Sequence, residues 1–326
     1  VAWRLRHART DWPVIRTLCE TLAEEADFHR RYGANELLRK RRIQLPRDSA
    51  ALRGIGFAVG DQQCGFTGDR ETGAVTVRLN QDGTARLYCN VPTPTLRLRS
   101  AWRQIVASEL GIERDDVTLD TEHHSVQQSG GPRLFSRGVS MVPRAIVSAC
   151  QAIQKQRFRQ PLPITVRRTL RAGRGTRTPA ETFRSIGAAS VEAILLPASM
   201  EIDVRSVTVV VYAGRIVDRG MAEAELRRGI YHALNWALHE SLLDAELVTE
   251  PETLRAYNTA FRGAIPKIRI VFLNQIRKDG PVGIGEIPFA TVPAALVSAL
   301  SQATGLYLDS LPVRPTDILR LLREEE

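Results

Sequence analysis

The chain has 326 residues, 43% hydrophobic and 25% charged, the composition of a globular protein with a sizeable core in one large or two ordinary domains. No apolar run approaches the ~20 residues of a membrane span, so no membrane association is expected. The net charge is +9 and the pI about 9.9, carried almost entirely by Arg. There is no helix-turn-helix, zinc-finger or aromatic-plus-Arg stacking pattern, so this balance does not by itself point to nucleic acid.

The N-terminal VAWRLRHARTDW lacks the apolar stretch of a secretory signal. Val1 reads either as a GTG start or as the edge of a fragment. Cys19, Cys64, Cys89 and Cys150 are far apart with no C-x-x-C pair. That spacing implies neither a zinc site nor an iron–sulfur cluster, and fits free thiols in a reducing cytoplasm.

Residues 12–45 carry a helical period through Leu18, Leu22 and Ala26, with a break expected at Gly33–Asn35. The period then changes to strands over RGIGFAVGDQQCGFTG and AVTVRLNQDGTARLYCNV. NQDG at 80–83 separates two alternating runs and predicts a hairpin. RSAWRQIVASELG predicts a helix ended by Gly111 as its cap, and VTLD a short strand. Residues 126–138, rich in Gly and Ser, predict a loop leading into a helix over VPRAIVSACQAIQKQRF.

The Arg- and Pro-rich 160–186 reads as a polar linker. Beyond it, ASVEAILL and SVTVVVYAGRIVD are strand-like. MAEAELRRGIYHALNWALHESLLD is an amphipathic helix with Leu226, Ile230, Leu234, Ala237 and Leu238 on one side. KIRIVFL is a β-branched strand, TVPAALVSALSQATG a largely buried helix, and LPVRPTDILRLLREE a closing helix capped by Thr316. Strands and helices mix without a regular βαβ beat, which predicts an α+β fold. The expected division is an N-terminal helical segment 1–50, a first α/β subdomain 51–159, the linker 160–186 and a second α/β subdomain 187–326.

Several residues invite a chemical reading. Glu286 sits between Gly285 and Pro288 in GIGEIP, directly before an apolar helix. It suits either a carboxylate complementing a helix N-terminus or a general base. The basic clusters 39–47 and 165–177 suit either solvated surfaces or an acidic partner or anionic cofactor. His123 and His124 are neighbours that face opposite ways in an extended chain, with no third ligand at metal spacing. Trp102 and Trp236 read as core. The glycines of GIGFAVG at 54–60 lie within a strand pattern and open no helix, unlike a dinucleotide loop. No Ser-His-Asp order or G-x-S-x-G elbow occurs.

The order of five stretches carries a resemblance. RRIQLPRDSAALRGIGFAVGDQQCGFTG is similar to the run opening the second molybdenum-binding half of the xanthine dehydrogenase/aldehyde oxidase family. DGTARLYCNVPTPTLRLRSAWRQIVASELGIERDDVTL is similar to its strand–loop–helix element. SGGPRLFSR resembles its S-G-P-x-x-x-S-R loop. AGRIVDRGMAEAELRRGIYHALNWAL resembles its D-x-G-R-x-x-N…E-G-x-x-x-G-x-x-Q-G-x-G-x-A-L block, and GIGEIPFATVPAALVSALSQATG…SLPVRPTDIL its C-terminal G-x-G-E-x-P segment. Together they span about residues 40–322.

The resemblance implies the second molybdenum-cofactor-binding domain of a molybdenum hydroxylase, with mixed sheets and flanking helices in two subdomains. It implies a molybdopterin-type cofactor, including the cytosine dinucleotide form, and no iron–sulfur cluster or flavin on this chain. The implied reaction is oxidative hydroxylation of an N-heterocycle or aldehyde using water. The implied partners are another molybdenum-binding chain, an iron–sulfur subunit and a flavin subunit of one cytoplasmic complex; activity is not expected of this chain alone.

Glu286 falls on the family's base. Gly130, Gly131, Ser136, Arg137, Gly283 and Gly285 fall on loops that face the cofactor, and no side chain of this chain is expected to ligate metal. Three positions depart from the pattern. Leu96 stands where the family has a Gln, Phe135 where it has a small residue, and Gly138 where it has Ser or Thr. The Q-G-x-G run reads HALN, and the first Gln position of that block falls on Glu225 or Leu226. These departures support an alternative, a cofactor-free paralogue kept for structure or assembly.

Overall fold

A computed structural model describes residues 8–42, 51–65, 72–90, 96–120, 136–171, 182–240, 265–273 and 281–324. The chain opens with helices α1 (Ala8–Glu25) and α2 (Phe28–Arg42). Next come strands β1 (Leu52–Gly65), β2 (Thr72–Leu79) and β3 (Ala85–Cys89), helix α3 (Leu96–Leu110) and strand β4 (Val117–Asp120). A helical turn α4 (Arg137–Ser140), helix α5 (Val142–Gln156) and strands β5 (Ile164–Arg171), β6 (Thr182–Leu196) and β7 (Glu201–Tyr212) continue it. Helix α6 (Arg219–Leu238), strand β8 (Lys267–Phe272) and helices α7 (Ile287–Thr304) and α8 (Pro315–Glu324) complete the order.

The strands form two mixed four-stranded sheets, ordered β1-β6-β7-β8 and β4-β3-β2-β5. In the first, β7 and β8 run parallel and the other pairs antiparallel. Both of its faces are covered. Val207, Val209 and Val211 of β7 pack under α6 and α7, while Ile186, Ala188 and Val210 meet Leu18 and Leu22 of α1. Burial on both sides explains the β-branched run VTVVV, in which even Thr208 is buried. The second sheet packs one face on α3 and α5 through Val75, Val77, Leu87, Trp102, Val106, Ile146 and Ile153. This is the expected α+β architecture of mixed sheets with flanking helices.

The division between the sheets differs from the expected boundaries at 159/160 and 186/187. β1, from the first expected subdomain, pairs with β6 over its whole length, Leu52↔Leu195 through Gly65↔Thr182. β5 lies inside the expected linker 160–186 and pairs with β2. Its alternation, with Ile164 and Val166 buried and Thr165 and Arg167 exposed, is masked in sequence by its arginines. The second sheet is thus inserted between β1 and β6.

Three smaller expectations also change. The first helical segment breaks at Asp27, which has φ +51 and whose carboxylate accepts from the Arg30 guanidinium, while Gly33 lies inside α2. α8 begins at Pro315, a residue pre-set for the first helical position, so Thr316 is its second residue rather than its cap. β7 ends at Tyr212, and AGRIVD leads to α6, whose cap is Asp218 accepting from the Met221 N–H at 2.9 Å. The hairpin, the Gly111 helix end (φ +68) and β4 stand as expected.

The glycines of GIGFAVG have a packing role. A Cβ at Gly54 would lie 1.8 Å from the Ala299 carbonyl oxygen, and one at Gly56 1.9 Å from that of Ala295. β1 is a groove for α7. α7 is long and apolar enough to span a membrane, and 67% of it is buried against the sheet, as in a core helix.

Candidate cofactor site

The turn before α7 is held from three sides. Ile287 fills the space left by Gly187 of β6, where a Cβ would meet its Cγ2 at 2.3 Å, and Pro288 lies against Gly229 of α6. The Gly283 carbonyl accepts from Ser185 Oγ at 2.7 Å and from Cys64 Sγ at 3.7 Å. The Glu286 backbone N–H donates to Gln62 Oε1 at 3.0 Å, and Gln62 Nε2 donates to Ser136 Oγ at 2.8 Å. Gln62 is 3% exposed, so its amide spends both ends joining two loops distant in sequence.

Ser136 (φ +50) begins α4, and its carbonyl accepts from the N–H groups of Val139 and Ser140. A Cβ at Gly283 would lie 2.2 Å from Ser136 Oγ, so only glycine allows these loops to touch. The structure therefore brings Ser136, Gly283, Gly285 and Glu286 together. Arg137 is in α4, but its side chain lies outside the described residues, as do Gly130, Gly131, Phe135, His123 and His124. Trp102 is fully buried and ties α3 to α4 by donating from Nε1 to the Gly138 carbonyl at 2.8 Å. Trp236 is 39% exposed and packs beside Phe289 instead of in the core.

A cavity of about 770 Å³ opens where the two sheets' helices meet. One wall is the start of α3 with α4; the other is 215–218, the first turns of α6 and residues 281–285. Leu98, Ile105, Ile216 and Met221 make its walls apolar. Leu98 Cδ2 lies 2.7 Å from where a Gly138 Cβ would stand, so glycine makes room for that wall. Leu96 lines the cavity and is 80% exposed.

The cavity's charges fall into three groups, of which Asp218 is the α6 cap already described. Glu225 is ion-paired with Arg228 and borders Gly285, where a Cβ would meet its Oε1 at 3.2 Å. Arg97 and Arg215 are exposed and have no ion pair or hydrogen bond among the described residues. Glu286 follows the lining residues directly. Glu286 is exposed and its side chain makes no capping bond. The reason is local: the next two residues, Ile287 and Pro288, turn into the core, which leaves Glu286 on the outside. Among the described residues no three His, Cys, Asp or Glu side chains converge on a metal position.

Residues 22–161 match the family model of the molybdopterin cofactor-binding domain. The chain is 24% identical over 311 residues to the aldehyde oxidoreductase of Megalodesulfovibrio gigas, and 22% identical over 264 residues to a probable xanthine dehydrogenase subunit of Bacillus subtilis. These matches cover 83% and 68% of this chain. Residues 22–161 thus resemble a molybdopterin cofactor-binding domain, and most of the chain is similar to these two relatives. The chain spans 32% and 35% of their length. The solved quinoline 2-oxidoreductase of Pseudomonas putida 86 shares its fold, with a TM-score of 0.75 and 19% identity over 94% of this chain and 45% of that one.

The residues of this site fit a flat, phosphate-bearing cofactor in two respects. The cavity volume and apolar walls suit a planar ring system. The guanidiniums of Arg97 and Arg215, unpaired among the described residues, suit a phosphate, which Arg binds in bidentate fashion. Leu96 contributes no hydrogen bond. Gln62, Ser185 and Arg215 were not apparent from sequence as parts of the site. Gln62 left one signal, a polar residue at an inward position of a strand.

Proposed function

We propose that this chain is part of the molybdopterin-binding subunit of a multi-subunit molybdenum hydroxylase acting on an N-heterocycle or aldehyde. The observation that carries this reading is the meeting of the Ser136 and Gly283–Glu286 loops at one cavity, in a chain similar to a molybdopterin cofactor-binding domain over residues 22–161. The bound cofactor, in the pterin or cytosine dinucleotide form, supplies net transfer of water's oxygen to carbon, with release of two electrons and two protons.

The chain's own residues do the rest. Arg97 and Arg215 hold phosphate at the cavity mouth. The apolar walls exclude water from a flat ring and so strengthen polar contacts within. Gln62 fixes the turn, and the Glu286 carboxylate oxygens accept one of the released protons. Another molybdenum-binding chain covers the exposed carboxylate, and iron–sulfur and flavin subunits of the same cytoplasmic complex carry the electrons away. One observation favours the alternative of a cofactor-free assembly subunit: Leu96 offers a hydrocarbon face to the cavity.

Molybdenum and pterin content of the protein purified with its partner chains decides between them. Near-stoichiometric metal supports the first reading, and none supports the second. With metal present, Glu286→Gln should retain it and lower turnover roughly a hundredfold or more, the scale of a lost general base; unchanged turnover removes Glu286 from the reaction. Replacing Arg97 and Arg215 by Ala should lower cofactor retention on gel filtration.

A further inference from the structure

The second sheet has one face on α3 and α5, and no described helix packs on the part of the other face that carries Arg78, Arg86 and Arg167. There Arg78 of β2 stands directly opposite Arg86 of β3. Arg167 of β5 is diagonal to Arg78, since Thr165 pairs with Arg78 and Arg167 with Thr76. Opposed side chains in such pairs have Cβ atoms about 5 Å apart, and like charges so placed repel. All three arginines are exposed, and none of their guanidiniums has an ion pair or hydrogen bond among the described residues. Thr118, Thr165 and Thr169 surround them and are exposed as well. Two acids lie near: Asp120 of β4, opposite Tyr88 on this face, which makes an interaction of its own, and Asp82 in the β2–β3 turn. The Asp82 pKa is held down mainly by hydrogen bonds from Thr84, with the Arg86 charge adding least.

We propose that this part of the face is a docking surface for an acidic protein surface, whose carboxylates pair with Arg78, Arg86 and Arg167. The chemistry selects this partner over others. A second copy of the face would set arginines against arginines. A membrane would need apolar anchors, and the described side chains around the arginines are threonines, Tyr88 and Asp120, with no aliphatic residue among them. A nucleic-acid strand on a sheet stacks its bases on free aromatics. The aromatic on this face is Tyr88, which already makes an interaction of its own. Bidentate guanidiniums at strand spacing match carboxylates presented by a helix or strand of another chain. The cofactor has no part in this, and the proposal stands or falls separately from the reading of the cavity.

Fluorescence anisotropy with a labelled poly-glutamate peptide and an oligothymidylate of equal length tests it. The wild-type protein is compared with a triple variant, Arg78→Gln, Arg86→Gln and Arg167→Gln. A control carries Arg314→Gln, Arg320→Gln and Arg323→Gln near and on α8, which removes the same net charge. Thermal melts confirm that each variant folds. The expected result is peptide binding that the sheet triple weakens roughly tenfold, the sum of three exposed pairs, and that the control leaves essentially unchanged. Equal loss in both variants, no peptide binding, or tighter binding of the oligothymidylate with the same dependence on the sheet arginines overturns the proposal.

Discussion

Gln62 and Glu286, 224 positions apart, are joined by a 3.0 Å hydrogen bond from the backbone N–H of the acid to the side-chain oxygen of the amide. The other end of the same amide reaches Ser136. The turn that carries Glu286 is therefore fixed from β1, the strand on which α7 also packs. Gln62→Leu should leave the part-buried Glu286 N–H and Ser136 hydroxyl without this partner and lower unfolding free energy by about 1–2 kcal/mol, measured by urea titration. A change under about 0.5 kcal/mol would show that the bridge is replaced by water.

Glu286→Gln should leave stability within about 0.5 kcal/mol of wild type, because the carboxylate is exposed and makes no capping bond. The melting temperature checks this. It also separates a catalytic loss in this variant from a folding one.

Two glycine substitutions should act in opposite directions. Gly54→Ala drives a Cβ to 1.8 Å from the Ala299 carbonyl oxygen and should cost on the order of 3 kcal/mol by forcing α7 off the sheet. Gly33→Ala lies inside α2 with nothing within 4 Å and should stabilise by about 0.5–1 kcal/mol. Chemical denaturation of both variants measures the contrast.

Burial raises the Cys150 thiol to about 12, with the nearby Glu109 charge adding to it, from an ordinary value of 9.0. Between those values the folded chain holds a proton that the unfolded chain has lost. Its contribution to stability is complete below pH 9 and fades as pH climbs toward 12. Cys150→Ala should flatten the alkaline limb of the stability profile. Native-state alkylation at about pH 8, near the ordinary thiol range, should label Cys150 last.

His239, at the C-terminal cap of α6, is shifted the other way: burial lowers its pKa below 6.5. Its contribution is present above about pH 6.5 and is lost as pH falls through the lower folded value, where the unfolded chain binds the proton more readily. His239→Gln should reduce the acid dependence of the melting temperature. An unchanged acid limb would place that dependence on other groups.

Much of the local structure was readable before any coordinates. The alternation on either side of NQDG produced β2 and β3 as the expected hairpin, and Gly111 ends α3 because a residue at ease with positive φ continues the chain there. β5 was hidden because Arg167 and Arg168 interrupt its apolar pattern, and the exposed side of an edge strand carries no core signal. The helix break at Asp27 was misplaced at Gly33 because a side-chain contact from Arg30 steadies the left-handed residue, and glycine in an open helix costs too little to end it.

The sequence by itself determined the class of the fold, most element ends and the tight turn around Glu286. These follow from periodicity, from positive-φ glycines and from a proline just inside a helix, all local properties of the chain. Only the tertiary structure decided that β1 belongs with β6, that Gln62 bridges Ser136 to the Glu286 turn, and that Arg97 and Arg215 share one cavity. Strand pairing and buried hydrogen bonds between distant residues depend on which surfaces exclude water together, and no window of sequence holds both partners.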